Sequence, residues 1–135
     1  IPSQKMTKVY LDENDVKFLK SKKVLIGSHS DQHLVLSRCQ SSVLQQEINT
    51  NKVFLEDLID EPVQHFAIPF GKKEHYNDLM AQFCGEAGHH YLYTTNPVPV
   101  DKHCEKWIPR IGLTNQTPKE IMFLINRTFL KKYDL

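Results

Sequence analysis

Four short apolar runs alternate with amphipathic segments long enough to be helices, and that alternation restricts the fold more than any other property of the chain. The runs are "VLIG" at 24–27, "VQHFAIPFG" at 63–71, "YLYTT" at 91–95 and "WIPRIGL" at 107–113. Each is too short for a helix and ends in Gly, Pro or a turn, so each is expected to be a buried strand. The segments between them have helical spacing. "SSVLQQEINTNKVFLEDLI" places Leu44, Ile48, Leu55, Leu58 and Ile59 on one side, with Ser42 and Gln45 spaced as a capping box. "YNDLMAQFCGEAG" does the same with Leu79, Met80, Phe83, Cys84 and Ala87, and Gly88 supplies a stop. Ahead of the first run, Asp12 and Asp15 mark a helix start. Near the end, Thr117, Pro118 and Glu120 mark another.

Strands alternating with helices mean right-handed crossovers and a parallel sheet. A closed eight-unit barrel needs about 250 residues, and this chain has 135. The expected architecture is therefore α/β: a single domain over residues 1–135, folded as a partial, distorted (β/α) barrel. The opening "IPSQKM" has no initiator Met and no signal-peptide pattern, so further N-terminal βα units are expected upstream.

Seventeen Lys and Arg against sixteen Asp and Glu leave a net charge of +1, with no basic stripe, which argues against a nucleic-acid role. No apolar stretch approaches the ~20 residues that span a bilayer, and a soluble domain is expected. Cys39, Cys84 and Cys104 show no C-x-x-C spacing and suggest neither a disulfide framework nor a cysteine zinc site.

The chemistry is expected just past "VLIG". In α/β folds ligands bind at the carboxyl ends of strands, and there the chain reads "SHSDQH", with His29 and His33 four apart. If the segment turns helically the two imidazoles share a face, and neutral imidazole is a common zinc ligand. His89 and His90, following Gly88, are expected at a surface turn.

Taken in order, "IGSHSDQHLVLS", "LQQEI", "LEDLI", "PVQHFAIPFG", "CGEAGHHYLYTTNP" and "WIPRIGL" resemble the NodB-type polysaccharide deacetylases, carbohydrate esterases that remove N-acetyl or O-acetyl groups from sugars. The resemblance covers about Leu11 to Phe129. It implies a distorted (β/α) barrel with one divalent metal, usually Zn2+, with Co2+ or Ni2+ as alternatives, held by an Asp and two His. The family's H-[ST]-x-x-H motif is matched by His29, Ser30 and His33. Its R-P-P-Y-G motif is matched by Ala67, Ile68, Pro69, Phe70 and Gly71, a groove wall in which the Phe70 backbone N–H would help hold the oxyanion. Pro69, Phe70 and Trp107 are the expected substrate-contacting residues.

Three departures accompany the match. Ala67 stands where the family has an Arg that orients the catalytic carboxylate, and Arg110 is offered as its substitute. No Asp pair of the family's first-strand type is found, so the metal's third ligand and the base are both missing from the pattern. The late L-x-H motif that supplies the general acid is not recognisable either, and His103 is the nearest candidate. The resemblance implies an acetylated carbohydrate as substrate, and a chain that by itself binds zinc weakly and turns over slowly or not at all. Two other readings stay open: a non-catalytic carbohydrate-binding pseudo-enzyme, and another metal-dependent hydrolase on a similar barrel. Relatives occur at the cell envelope, outside the cell and in the cytoplasm, so no compartment is implied.

Overall fold

A computed structural model describes residues 10–98 and 106–133. Its elements in chain order are α1 (Glu13–Ser21), α2 (Ser41–Ile59), β1 (His65–Ala67), α3 (Asp78–Glu86), β2 (Tyr91–Tyr93), β3 (Trp107–Ile108) and α4 (Pro118–Tyr133), with single 3-10 turns at Leu36–Arg38 and Lys73–His75. The three strands form an open parallel sheet in the order β1-β2-β3. The expected parallel, incomplete sheet is what forms.

The helix starts follow from side-chain chemistry. Asp12 accepts from the Asp15 N–H while the Asp15 carboxylate accepts from the Asp12 N–H, which satisfies two otherwise orphaned donors at the start of α1. Asn77 caps α3 through the Met80 N–H, and Thr117 exchanges hydrogen bonds with Glu120 at the start of α4. The expected Ser42–Gln45 box does not form. The first turn of α2 closes on the Gln40 carbonyl through the Leu44 N–H, which places Ser42 inside the helix instead of at its cap.

One face of the sheet is covered by α2 and α3. Leu44 and Ile48 of α2, Met80, Ala81 and Cys84 of α3, Phe66 of β1 and Leu92 of β2 make a single buried cluster with Leu36, Ile68 and Tyr76. Burial pushes the Cys84 thiol up to about 12, so it packs there as a small apolar group. Leu79, expected on the buried face of α3, is exposed; Ala81 takes the inward position.

"VLIG" is not a strand. Only Ser28 joins the sheet, through a parallel bridge to Phe66 in which its N–H donates to the His65 carbonyl and its carbonyl accepts from the Ala67 N–H, both at 2.8 Å. A strand needs a lateral partner along its length, and β1 presents three residues, so Gly27 lies against His65 while residues 24–26 run past its amino end. Val24 and Leu25 are accordingly 43% and 68% exposed.

Candidate functional site

The Ser28 bridge fixes where the next residues go. His29 leaves the carboxyl end of the sheet beside β1, and its Nδ1 lies 2.6 Å from the Ala67 carbonyl oxygen. A carbonyl can only accept, so Nδ1 carries the proton and the Nε2 lone pair is left for a ligand. No helical turn follows. Ser30 (φ 66) and His33 (φ 56) are both left-handed, and these two kinks bring the imidazole of His33 edge-on to that of His29, with ring centroids 4.8 Å apart. Left-handed backbone at non-glycine residues costs of order 1–3 kcal/mol each and persists only where the surroundings impose it.

Those surroundings come from α2. Along its buried stripe, Glu47, Asn51 and Lys52 interrupt Leu44, Ile48 and Leu55. Asn51 Oδ1 accepts from the Ser28 hydroxyl at 2.7 Å and from the His29 N–H at 3.3 Å. The Glu47 carbonyl accepts from the Asp31 N–H at 3.1 Å, its carboxylate from the Gln32 N–H at 2.9 Å. Ser30 Oγ closes the loop by accepting from the His33 N–H. No motif marks Glu47 and Asn51; their signal is their place three and seven residues after Leu44, on the stripe that Leu44, Ile48 and Leu55 mark as buried.

Phe70 completes the rim. It is half exposed and left-handed (φ 61), and its ring meets His33 at 4.7 Å and His75 at 5.3 Å, edge-on in both cases. The turn is pinned from β2's end: Thr95 Oγ1 donates to the Phe70 carbonyl and the Thr95 N–H to the Gly71 carbonyl, both at 2.9 Å. Gly71 is required, since at φ +66 an added Cβ would lie 2.8 Å from the Thr95 nitrogen. Pro69 is fully buried and forms the base of the turn.

On the sheet's other face a cavity of about 300 Å³ opens, with His29, His65, Ala67, Tyr93 and Arg110 in its walls. Arg110 Nε donates to the Thr94 carbonyl at 3.2 Å, and the guanidinium lies 5.8 Å from the Tyr93 ring centroid. Arg110 and His29 therefore border one space. Trp107 does not border it: its ring packs 4.5 Å from Tyr76, against the core. His103 lies outside the described residues.

His89 departs from its expected surface position. It is buried, and neither ring nitrogen meets a partner in hydrogen-bonding geometry, while the nearby Val63 carbonyl accepts from Lys52 Nζ at 2.8 Å. Burial, reinforced by the Lys52 ammonium, drives its pKa down to about 4. Glu56 beside it is held below its usual value: burial pushes the other way, but hydrogen bonds from Lys52 and the Val63 N–H outweigh it. This cluster is at the amino end of β2, the far end of the sheet from His29.

His29 and His33 offer two imidazole donors side by side, and in His29 the Nδ1 contact with Ala67 leaves Nε2 for a cation. Among the described residues no set of three His, Cys, Asp or Glu side chains converges.

Residues 4–92 match the family model of the polysaccharide deacetylases. In structure, the chain is similar to the Streptococcus pyogenes deacetylase PplD, solved in complex with acetate, with a TM-score of 0.74 at 20% identity, over 89% of this chain and 53% of that one. A de-N-acetylase from Aggregatibacter actinomycetemcomitans gives a TM-score of 0.72 at 13% identity, over 92% and 58%. The chain thus spans little more than half the length of either. No curated protein matches its sequence.

Proposed function

The chain belongs to the polysaccharide deacetylase family, and from that premise we propose that it carries the metal-binding half of a site that hydrolyses N-acetyl or O-acetyl groups on a carbohydrate. The observation that carries the proposal is the histidine pair. His29 is locked by the Ala67 carbonyl with Nε2 outward, and His33 is bent back against it through two left-handed residues. Packing alone gives no reason to hold two exposed imidazoles in strained backbone at the end of a sheet.

His29 and His33 would hold the cation, Zn2+ by family habit. When bound, it would polarise the acetyl carbonyl and acidify a water molecule. The remaining work falls to the chain. The Phe70 N–H, on a turn fixed by Thr95 and engaged by no acceptor among the described residues, is the donor proposed for the oxyanion of the tetrahedral intermediate. The exposed Phe70 ring is proposed as a wall for the sugar. Arg110 brings positive charge to the space beside His29, the reach a substitute for the arginine lacking at Ala67 requires. Water adds to the acetyl carbon, the C–N or C–O bond breaks, and acetate and a free amine or hydroxyl are released.

A second reading, a carbohydrate-binding domain without turnover, is favoured by one observation: no carboxylate joins His29 and His33 among the described residues. Acetate release from N-acetylglucosamine oligomers by the full-length protein, with and without zinc, separates the two. Zinc-dependent release abolished by His29→Ala supports the deacetylase. Release that needs no zinc or survives His29→Ala contradicts it, and oligomer binding with zinc bound but no release establishes the second reading.

A further inference from the structure

Phe70 occupies a turn whose backbone does not favour itself. The Gly71 N–H donates to the Pro69 carbonyl at 2.7 Å across Phe70, whose φ is 61. A hydrogen bond that spans one residue of positive φ makes the rare and strained form of γ-turn. Thr95 fixes the carbonyl side of this turn through the Phe70 and Gly71 oxygens. The Phe70 side chain, half exposed, needs a hold of its own.

Two histidine rings supply that hold. His33 meets the Phe70 ring at 4.7 Å with planes 68° apart, and His75 meets it at 5.3 Å with planes 62° apart. Edge-on approach at such distances is a preferred arrangement of aromatic rings. His75 is itself anchored, since its Nδ1 accepts from the Lys72 N–H at 3.2 Å and its own N–H donates to the Lys72 carbonyl at 2.9 Å. On either side of it in sequence, the Glu74 carbonyl accepts from Ser37 Oγ at 2.6 Å and Tyr76 is buried in the core. With Nδ1 accepting, the proton of the neutral ring sits on Nε2, the reverse of His29, so neutral His75 has no free lone pair for a cation. Its place beside Phe70 calls for a different role.

The ring matters to the backbone through the geometry at Cα, where fixing the directions of two bonds fixes the third. Thr95 holds the Cα–C bond of Phe70, and the ring contacts hold Cα–Cβ. The Cα–N bond follows. Pro69 is buried at the other end of that planar peptide, so the direction of the Phe70 N–H is set as well.

We propose that His75 is a positioning residue: by bracing the Phe70 ring it holds the Phe70 N–H, the donor proposed for the oxyanion, in one direction. The catalytic consequence rests on the deacetylase reading; the bracing itself does not.

The test uses the full-length protein and two substitutions that separate the ring of His75 from its acceptor. His75→Asn keeps an acceptor for the Lys72 N–H and removes the ring; His75→Phe keeps a ring and removes the acceptor. The order parameter of the Phe70 amide, from NMR relaxation without zinc, should be near the ~0.85 of rigid backbone in the wild type and in His75→Phe, and below ~0.6 in His75→Asn. In zinc-dependent acetate release from N-acetylglucosamine oligomers, His75→Asn should lower kcat at least ten-fold, part of the roughly 10²–10³-fold that outright loss of an oxyanion donor costs. KM should change less than kcat, zinc affinity should not change, and His75→Phe should recover most of the rate. An order parameter that His75→Asn leaves unchanged, a KM that rises while kcat holds, or a rate that His75→Phe fails to recover overturns the proposal. No acetate release by the wild type would defeat the deacetylase reading instead, and the order parameters alone would then decide whether His75 braces the turn.

Discussion

Acid should loosen this fold through His89. The imidazole is 3% exposed, neither nitrogen is hydrogen bonded, and its neighbours include the Lys52 ammonium, so its pKa falls to about 4 from an ordinary 6.5. In the unfolded chain it regains the ordinary value. Between those two values the unfolded state binds more protons than the folded one, so stability is complete above about pH 6.5, declines as pH falls toward 4, and loses nothing further to this group below that. The shift from 6.5 to about 4 corresponds to about 3 kcal/mol at the limit; the loss should be about 1 kcal/mol by pH 5.5 and roughly 2–3 kcal/mol by pH 4.5. Glu56 and the other carboxylates titrate in the same range, so the comparison is with His89→Leu, which keeps an apolar side chain at the site and removes the titration. Urea unfolding followed by circular dichroism at intervals from pH 7.5 to 4.5 gives both curves. The wild type should lose roughly 2–3 kcal/mol more than the variant over that span. Parallel curves, or a His89 ring that titrates near 6.5 in NMR spectra of the folded chain, would refute the reasoning.

Gly71→Ala should destabilise the chain by more than about 2 kcal/mol, combining left-handed backbone with a Cβ pressed onto the Thr95 nitrogen; a melting temperature within ~1 °C of wild type would contradict this. Asn51→Ala removes the acceptor shared by the buried Ser28 hydroxyl and the His29 N–H, at a cost of about 1–3 kcal/mol. Zinc affinity should fall with it by about 10-fold, as for other groups that orient metal ligands, and unchanged affinity in calorimetry would show that Asn51 does not position the loop. The wild-type chain should bind zinc no tighter than about the micromolar range, since zinc sites that do chemistry normally have three protein ligands; a nanomolar constant would contradict a two-histidine site.

The helices and the parallel sheet were legible because each rests on local pattern. Asp12 with Asp15, Asn77, and Thr117 with Glu120 are caps whose chemistry lies within a few residues of sequence. The Leu44 and Ile48 stripe announced the buried face of α2. Apart from the Ser42 cap and the facing of Leu79, what failed depends on partners distant in sequence. "VLIG" has a strand's composition, but pairing requires a neighbour, and only Ser28 meets one. His89 has a turn's sequence context, after Gly88, but Lys52 and Phe66 close over it from α2 and β1. In the site, His29 and His33 could be paired by spacing, though the turn that joins them is two left-handed residues and not a helix. Their second layer, Glu47 and Asn51, was visible only as polarity on an apolar stripe. The shared cavity of His29 and Arg110 joins residues on opposite edges of the described sheet, and no local pattern carries that information.

The most direct test of the account is a zinc titration of the chain, followed through the ring-nitrogen resonances of its histidines. His29 and His33 should shift together and reach an end point at one zinc per chain. His29 should coordinate through Nε2 while its Nδ1 proton stays on the Ala67 carbonyl, and His29→Ala should weaken binding at least ten-fold. Zinc binding that leaves the His29 and His33 rings unmoved, or that His29→Ala does not weaken, would contradict it.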